Sequence, residues 1–181
     1  MGRRRRREPK DNLFPEAAVR NNSYKDTRSM SVLLVEDDEF KATDILKVLE
    51  EKFASSSVVR ATSVTSALKA VNRETFALIV LDMSLPTFEM SGLGGGGSPQ
   101  GQGGLEVLRL ARRLKNTSPF IVVTQYPDIE LDGVEIPLPI AAKSLRTKFD
   151  VNVLACLLYE FDRDSWRSPL RKLLTDINEQ Q

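Results

Sequence analysis

Four acids in this sequence stand where an apolar run stops. Glu36, Asp37 and Asp38 follow Ser31–Val35 (SVLLV), and Asp82 follows Phe76–Leu81 (FALIVL). Continuous apolar runs of this length suit strands of a parallel sheet that is covered on both faces. If the two strands are parallel neighbours, their C-terminal tips share one edge and the carboxylates meet in one crevice. Like charges so placed repel and raise each other's pKa unless a cation neutralises them. A hard divalent ion answers that need, and Mg²⁺ does so with one or two carboxylates while keeping several waters. A carboxylate can also be a nucleophile, and phosphoryl transfer to aspartate gives an acyl phosphate. That chemistry needs little beyond positioning and charge neutralisation. Thr124 closes the run Phe120–Thr124, and Lys143 follows the apolar Leu138–Ala142; at the same sheet edge they would add a hydroxyl and an ammonium. The plainer alternative is that the acids cap turns, Thr124 is an ordinary β-former and Lys143 is a surface charge. Two acid-bearing strand tips on one edge favour the joint site.

The composition narrows the chemistry further. The 181 residues include no histidine, which removes histidine general acid–base catalysis, Ser-His-Asp and Cys-His hydrolysis and His-ligated zinc. Carboxylates, hydroxyls, lysine and a hard cation remain. Lys and Arg total 26 against 25 Asp and Glu, so the overall balance does not point to a polyanion partner. The unbroken run Arg3–Arg7 is the exception. It reads as an arm for nucleic acid or an anionic membrane, or as a solvated tail; no aromatic or amphipathic segment follows it, which favours the tail and no nucleic-acid partner. No apolar h-region follows the arginines either, so no signal peptide is expected, and no window approaches the ~18 apolar residues of a membrane span. The single cysteine, Cys156, lies in an apolar pattern and reads as a small core side chain. A reducing, cytoplasmic setting fits it.

Along the chain, short apolar runs alternate with helical periods. Strands are expected at Ser31–Val35, Val58–Ala61, Phe76–Leu81, Phe120–Thr124 and Leu138–Ala142. Helices are expected from Phe40 to Phe53, from a Ser63 cap to Asn72, over Leu105–Leu114 and over Val151–Phe161. A last short helix is expected over Pro169–Ile177, capped by Ser168. Tyr126–Pro139 carries Pro127, Pro137 and Pro139 and reads as a turn or irregular loop where a fourth helix would fall. The alternation predicts an α/β fold, a doubly wound five-stranded parallel sheet of flavodoxin-like order 2-1-3-4-5 with a reduced fourth helix. Residues 1–30 read as a disordered basic tail, 31–162 as one domain and 163–181 as a C-terminal extension. Within the domain, Gly92–Gly104 (GLGGGGSPQGQGG) reads as a flexible insertion. It is no P-loop, because Gly103-Gly104-Leu105-Glu106 lacks the Gly-Lys-Ser/Thr ending.

SVLLVEDD followed by FALIVLDMSLP resembles the receiver domain of two-component response regulators. The spacing of Asp37 and Asp82, Pro86 after Asp82-Met83-Ser84-Leu85, the start Gly104-Leu105-Glu106-Val107-Leu108 and Thr124 after FIVV all match that family's pattern. The resemblance covers about Ser31 to Glu160. It implies that Asp82 accepts phosphate from a phosphohistidine on a histidine kinase or phosphotransfer protein. It implies that Asp37 binds Mg²⁺ directly, that Glu36 does so directly or through water, and that Asp82 and the backbone carbonyl of Ser84 complete the metal set. Thr124 would hydrogen-bond the phosphoryl oxygen and Lys143 would pair with it, with Lys148 as a rival. Asp38 stays outside the metal site. With no output domain in view, a downstream effector protein would receive the signal.

The departures from that pattern are equally specific. The Gly-rich segment is inserted beside the phosphoacceptor, Ser144 stands where proline usually follows the lysine, and Gln125 replaces a small residue after Thr124. The weak fourth helix and the missing proline motivate a second reading, a pseudo-receiver that binds proteins without being phosphorylated. A third, a metal-dependent phosphohydrolase, is weaker because Ser84 stands where such enzymes carry a second acid. A signalling module, not an enzyme, is therefore expected.

Overall fold

The computed structural model describes residues 31–88 and 102–179. The tail 1–30 and most of the Gly92–Gly104 insertion lie outside the described residues. Strands β1 (Val32–Val35), β2 (Val58–Ala61), β3 (Leu78–Leu81) and β4 (Phe120–Thr124) alternate with helices α1 (Glu39–Leu49), α2 (Val64–Arg73) and α3 (Gly103–Leu114). A hairpin of β5 (Asp128–Leu131) and β6 (Val134–Pro137) follows, then α4 (Leu138–Phe149), β7 (Val153–Leu158) and α5 (Arg167–Glu179). The main sheet has the order β2-β1-β3-β4-β7 with every neighbouring pair parallel. That is the expected doubly wound 2-1-3-4-5 sheet.

Alternation along the strands builds two cores. Leu33, Val35, Ile79, Leu81 and Val122 face α2, α3 and α4, whereas Val32, Leu34, Leu78, Val80, Ile121 and Val123 face α1 and α5. Because both faces are covered, β1 and β3 are buried along their whole length, which is why they read as unbroken apolar runs. Ser63 caps α2 through a reciprocal capping box with Ser66.

The second half of the chain corrects the sequence reading. Leu138–Ala142, expected as the fifth strand, is the start of α4, and Val151–Phe161, expected as a helix, contains β7. A run such as Leu-Pro-Ile-Ala-Ala fits either element by pattern alone. The helix prevails because Pro139 falls in its first turn, where no N–H is missed, and because Ala141, Leu145 and Phe149 recur on one buried face. The loop expected at Tyr126–Pro139 is a hairpin. It turns at Asp132 and Gly133, both with positive φ (54° and 78°), the backbone that two-residue turns between strands require. The fourth helix is therefore not reduced; it runs for 12 residues and starts after the hairpin. No cis peptide occurs among the described residues, and the Lys143–Ser144 bond lies within α4.

The extension after residue 162 is also integral to the fold. Trp166, Leu170, Leu174 and Ile177 are buried against Ile45, Val48 and Leu49 of α1 in one cluster. The last helix begins at Arg167, before the Ser168 expected as its cap, and serves as the fifth helix of the sheet.

Candidate functional site

The site grows from the adjacency of β1 and β3. Val35 pairs with Leu81, and the Asp82 N–H donates to the Val35 carbonyl at 3.0 Å, so Glu36, Asp37 and Asp82 leave the sheet side by side. Carboxylate oxygens of all three lie within 4.8 Å of one another. Asp38 does something else. Its Oδ1 accepts the N–H groups of Phe40 (2.8 Å) and Lys41 (3.1 Å) as the N-cap of α1.

Lys41, which the sequence reading did not single out, completes the cluster. Its side chain is 2% exposed, and its Nζ lies 2.8 Å from Glu36 Oε2 and 2.8 Å from Asp82 Oδ1. Asp82 Oδ2 accepts the N–H of Ser84 at 3.2 Å. Burial pushes the Glu36 carboxyl up to about 7; Lys41 pulls it down and Asp82 pushes it further up. Asp37 is likewise raised, chiefly by burial. Three carboxylates against one ammonium leave an excess of negative charge when all are ionised. The all-oxygen donor set and its close spacing fit a hard divalent cation.

A cleft of about 180 Å³ opens over this cluster, lined by Glu36, Asp37, Asp38, Lys41, Asp82, Ser84, Gln125 and Tyr126. Gln125 is exposed and lines this cleft. Thr124 is fully buried at the end of β4, lines a neighbouring hollow with Met83 and Tyr126, and accepts the Tyr126 N–H on its hydroxyl at 3.4 Å. Lys143 is not brought to the site. It is exposed on α4, because the segment before it is helix and no strand tip precedes it. Lys148 lies on the same helix and pairs with Asp132. The residue that follows the sheet's fifth strand is Tyr159, whose N–H donates to the Thr124 carbonyl at 2.7 Å. Its hydroxyl donates to Asp44 at 3.1 Å.

The signal for Lys41 was present in the sequence. Lys41, Ile45 and Val48 share one stripe of α1, and all three are buried. A lysine on the inward stripe of an amphipathic helix, one turn after an acidic strand tip, must have a buried anion to meet.

Parallel order, acidic tips and cleft together define a receiver-type module. The structure resembles a response regulator from Colwellia psychrerythraea (TM-score 0.55, 18% identity, 84% of this chain and 100% of that one). It also resembles the receiver domain of a sensor histidine kinase from Pseudomonas aeruginosa (TM-score 0.53, 20% identity, 83% and 98%), which holds a magnesium ion in its active-site cleft. At these identities the likeness is one of fold. Sequence relatives carry it to family level. The Detocs response regulatory protein DtcB of Vibrio alginolyticus is 30% identical over 147 residues, 79% of this chain and 98% of that protein. DtcB of Enterobacter cloacae is 25% identical over 150 residues, 82% and 100%. No family model matches the chain. The chain belongs to the response regulator receiver family, and its relatives there include the DtcB proteins of Detocs systems.

Proposed function

We propose that this receiver takes up a phosphoryl group on Asp82 and signals by protein–protein contact. The observation that carries the reading is the convergence of Glu36, Asp37 and Asp82 within 4.8 Å at the tips of two adjacent strands. The donor would be a phosphohistidine on a histidine kinase or phosphotransfer protein, and the recipient of the signal a downstream effector. Glu36, Asp37, Asp82 and the Ser84 carbonyl would hold Mg²⁺, which when bound neutralises charge on the transferring group. An Asp82 carboxylate oxygen attacks phosphorus, the new O–P bond forms as the P–N bond to the donor imidazole breaks, and the electron pair leaves on that nitrogen. The main-chain N–H of Ser84 orients Asp82 through its second oxygen. Thr124, one strand away and buried, would reach the phosphoryl oxygen only after the Gln125–Tyr126 segment shifts. A cytoplasmic location suits this exchange; no helix among the described residues is long and apolar enough to cross a membrane.

The complete burial of Thr124, outside the cleft lining, favours the second reading, a pseudo-receiver that binds a protein without being phosphorylated. Incubation with Mg²⁺ and acetyl phosphate, followed by intact-mass measurement, separates the two. One added phosphoryl group, lost in Asp82→Asn, is the expected result. An unchanged mass for the wild type leaves the pseudo-receiver.

A further inference from the structure

Glu36 and Asp82 share a buried cation that no strand tip supplies. Burying an ammonium costs several kcal/mol unless anions meet it, and a lysine at an inward position of α1 has packing alternatives in Leu or Met that need no partner. Lys41 instead reaches the edge where, among the described residues, the sheet gathers three carboxylates, 2.8 Å from Asp82 Oδ1. Of the residues that line the acidic cleft, it alone is cationic. The geometry also explains why it comes from α1. The tip of β7, the sheet's fifth strand, offers no lysine: Tyr159 stands there, and the Lys41 ammonium lies 5.9 Å from the centroid of that ring. The aromatic face steadies a cation, and the Tyr159 phenol is tied to Asp44 on the same helix.

We propose that Lys41 is the residue that pairs with the phosphoryl group on Asp82, reaching the site from the first turn of α1 in place of a lysine at the tip of the fifth strand. The inference rests on Asp82 being the phosphoacceptor. In the transfer, the O–P bond to Asp82 forms while the bond from phosphorus to its leaving group breaks. The electron pair departs with imidazole, or with acetate when acetyl phosphate is the donor. Lys41 keeps its protons throughout. It exchanges a carboxylate contact for a phosphoryl oxygen, and so opposes the charge that gathers on the transferring group.

The test compares wild type, Lys41→Met, Lys41→Gln and Lys143→Met in the full chain, with acetyl phosphate and Mg²⁺. It follows the rate of mass gain and the lifetime of the adduct. Mg²⁺ affinity is read separately from Trp166 fluorescence, since Trp166 packs 5.1 Å from Tyr159, and thermal melts check folding. Uptake should slow about tenfold or more in both Lys41 variants, because loss of one group aimed at developing charge commonly costs ~10²-fold. Mg²⁺ should bind them as tightly as wild type or more tightly, since a positive charge beside its ligands is gone. Lys143→Met should match wild type within about twofold, its side chain being outside the cleft. Lys41→Gln retains polar contacts and serves where Lys41→Met does not fold. Unchanged uptake and adduct lifetime in Lys41→Gln would show a purely structural lysine and overturn the proposal. Faster uptake with tighter Mg²⁺ binding would overturn it as well, by showing that Lys41 blocks the site. No adduct on the wild type sinks the phosphoacceptor reading itself, and this inference falls with it; an adduct on wild type that forms equally fast on Lys41→Gln sinks this inference alone.

Discussion

The backbone of Gly104 sits so close to that of Asp82 that a Cβ at 104 would lie 2.5 Å from the Asp82 carbonyl oxygen and 2.9 Å from Met83 Cα. The contact is made by backbone, which cannot rotate away, and the Gly104 N–H donates to the Met83 carbonyl at 3.0 Å. Gly104 is therefore the point where α3 locks onto the strand that carries the proposed phosphoacceptor. Gly104→Ala should force the helix start away from β3, costing about 1–3 kcal/mol as overpacking does, and should displace Asp82. Chemical denaturation would show the stability loss, and the acetyl phosphate assay should show slower uptake in the variant. Wild-type behaviour in both would mean that the contact is softer than the backbone positions indicate.

Residues Glu36, Asp37 and Asp82 were legible because each follows a strand buried on both faces, and such strands announce themselves as unbroken apolar runs. The sheet order followed from the alternation of those runs with helical periods. The second half was less legible for a physical reason. Val153–Leu158 and Leu138–Ala142 are both short apolar runs, and among the described residues β7 has one sheet neighbour, β4, so its pattern carries no clear period of two. The Asp132-Gly133 pair, flanked by DIEL and VEIP, was a usable hairpin signal masked by the surrounding prolines. Lys143 was misplaced as a consequence, since its role depended on a strand that is a helix. Lys41 is hard to read from sequence because a lysine within a helical pattern is ordinarily a solvated charge.

The last helix supplies a separate test of the domain boundary. Leu170 and Leu174 are fully buried and Trp166 is 1% exposed, although the sequence places them in an extension. Leu174→Ala should cost about 2–5 kcal/mol, the usual range for a buried leucine. A chain ending at residue 162 would expose the α1 face that α5 covers and should fail to give a cooperative melt. A cooperative transition for that shortened chain, at the temperature of the full chain, would show that α5 is dispensable.

The burial of Glu36 predicts how stability depends on pH in metal-free buffer. Its carboxyl is raised from 4.5 to about 7 in the folded chain, so between those values the folded state binds more protons than the unfolded one. The stability that goes with this shift is fully present below 4.5 and is lost as pH rises through about 7. Denaturant melts should therefore show stability falling, by on the order of 1–3 kcal/mol, between about pH 5 and about pH 8. Glu36→Gln should flatten that slope, since an amide does not titrate. A wild-type slope that the substitution leaves intact would assign the titration to another group.

Cys156 gives a prediction that touches neither the metal ligands nor the phosphoacceptor. It lies on β7, partly covered, and burial pushes its thiol up to about 12, with Arg146 pulling weakly the other way. The thiolate is the nucleophile, so alkylation follows its population. In the folded chain, the rate with iodoacetamide should still be rising about tenfold per pH unit at about pH 10, because the thiolate remains a small minority there. In urea the same cysteine should titrate near its ordinary value of 9.0, and its rate should level off about one unit above that. A folded-state rate that reaches its plateau near the unfolded value would mean that β7 opens to solvent far more often than its pairing with β4 implies. The edge strand beside Tyr159 would then be the mobile part of the site.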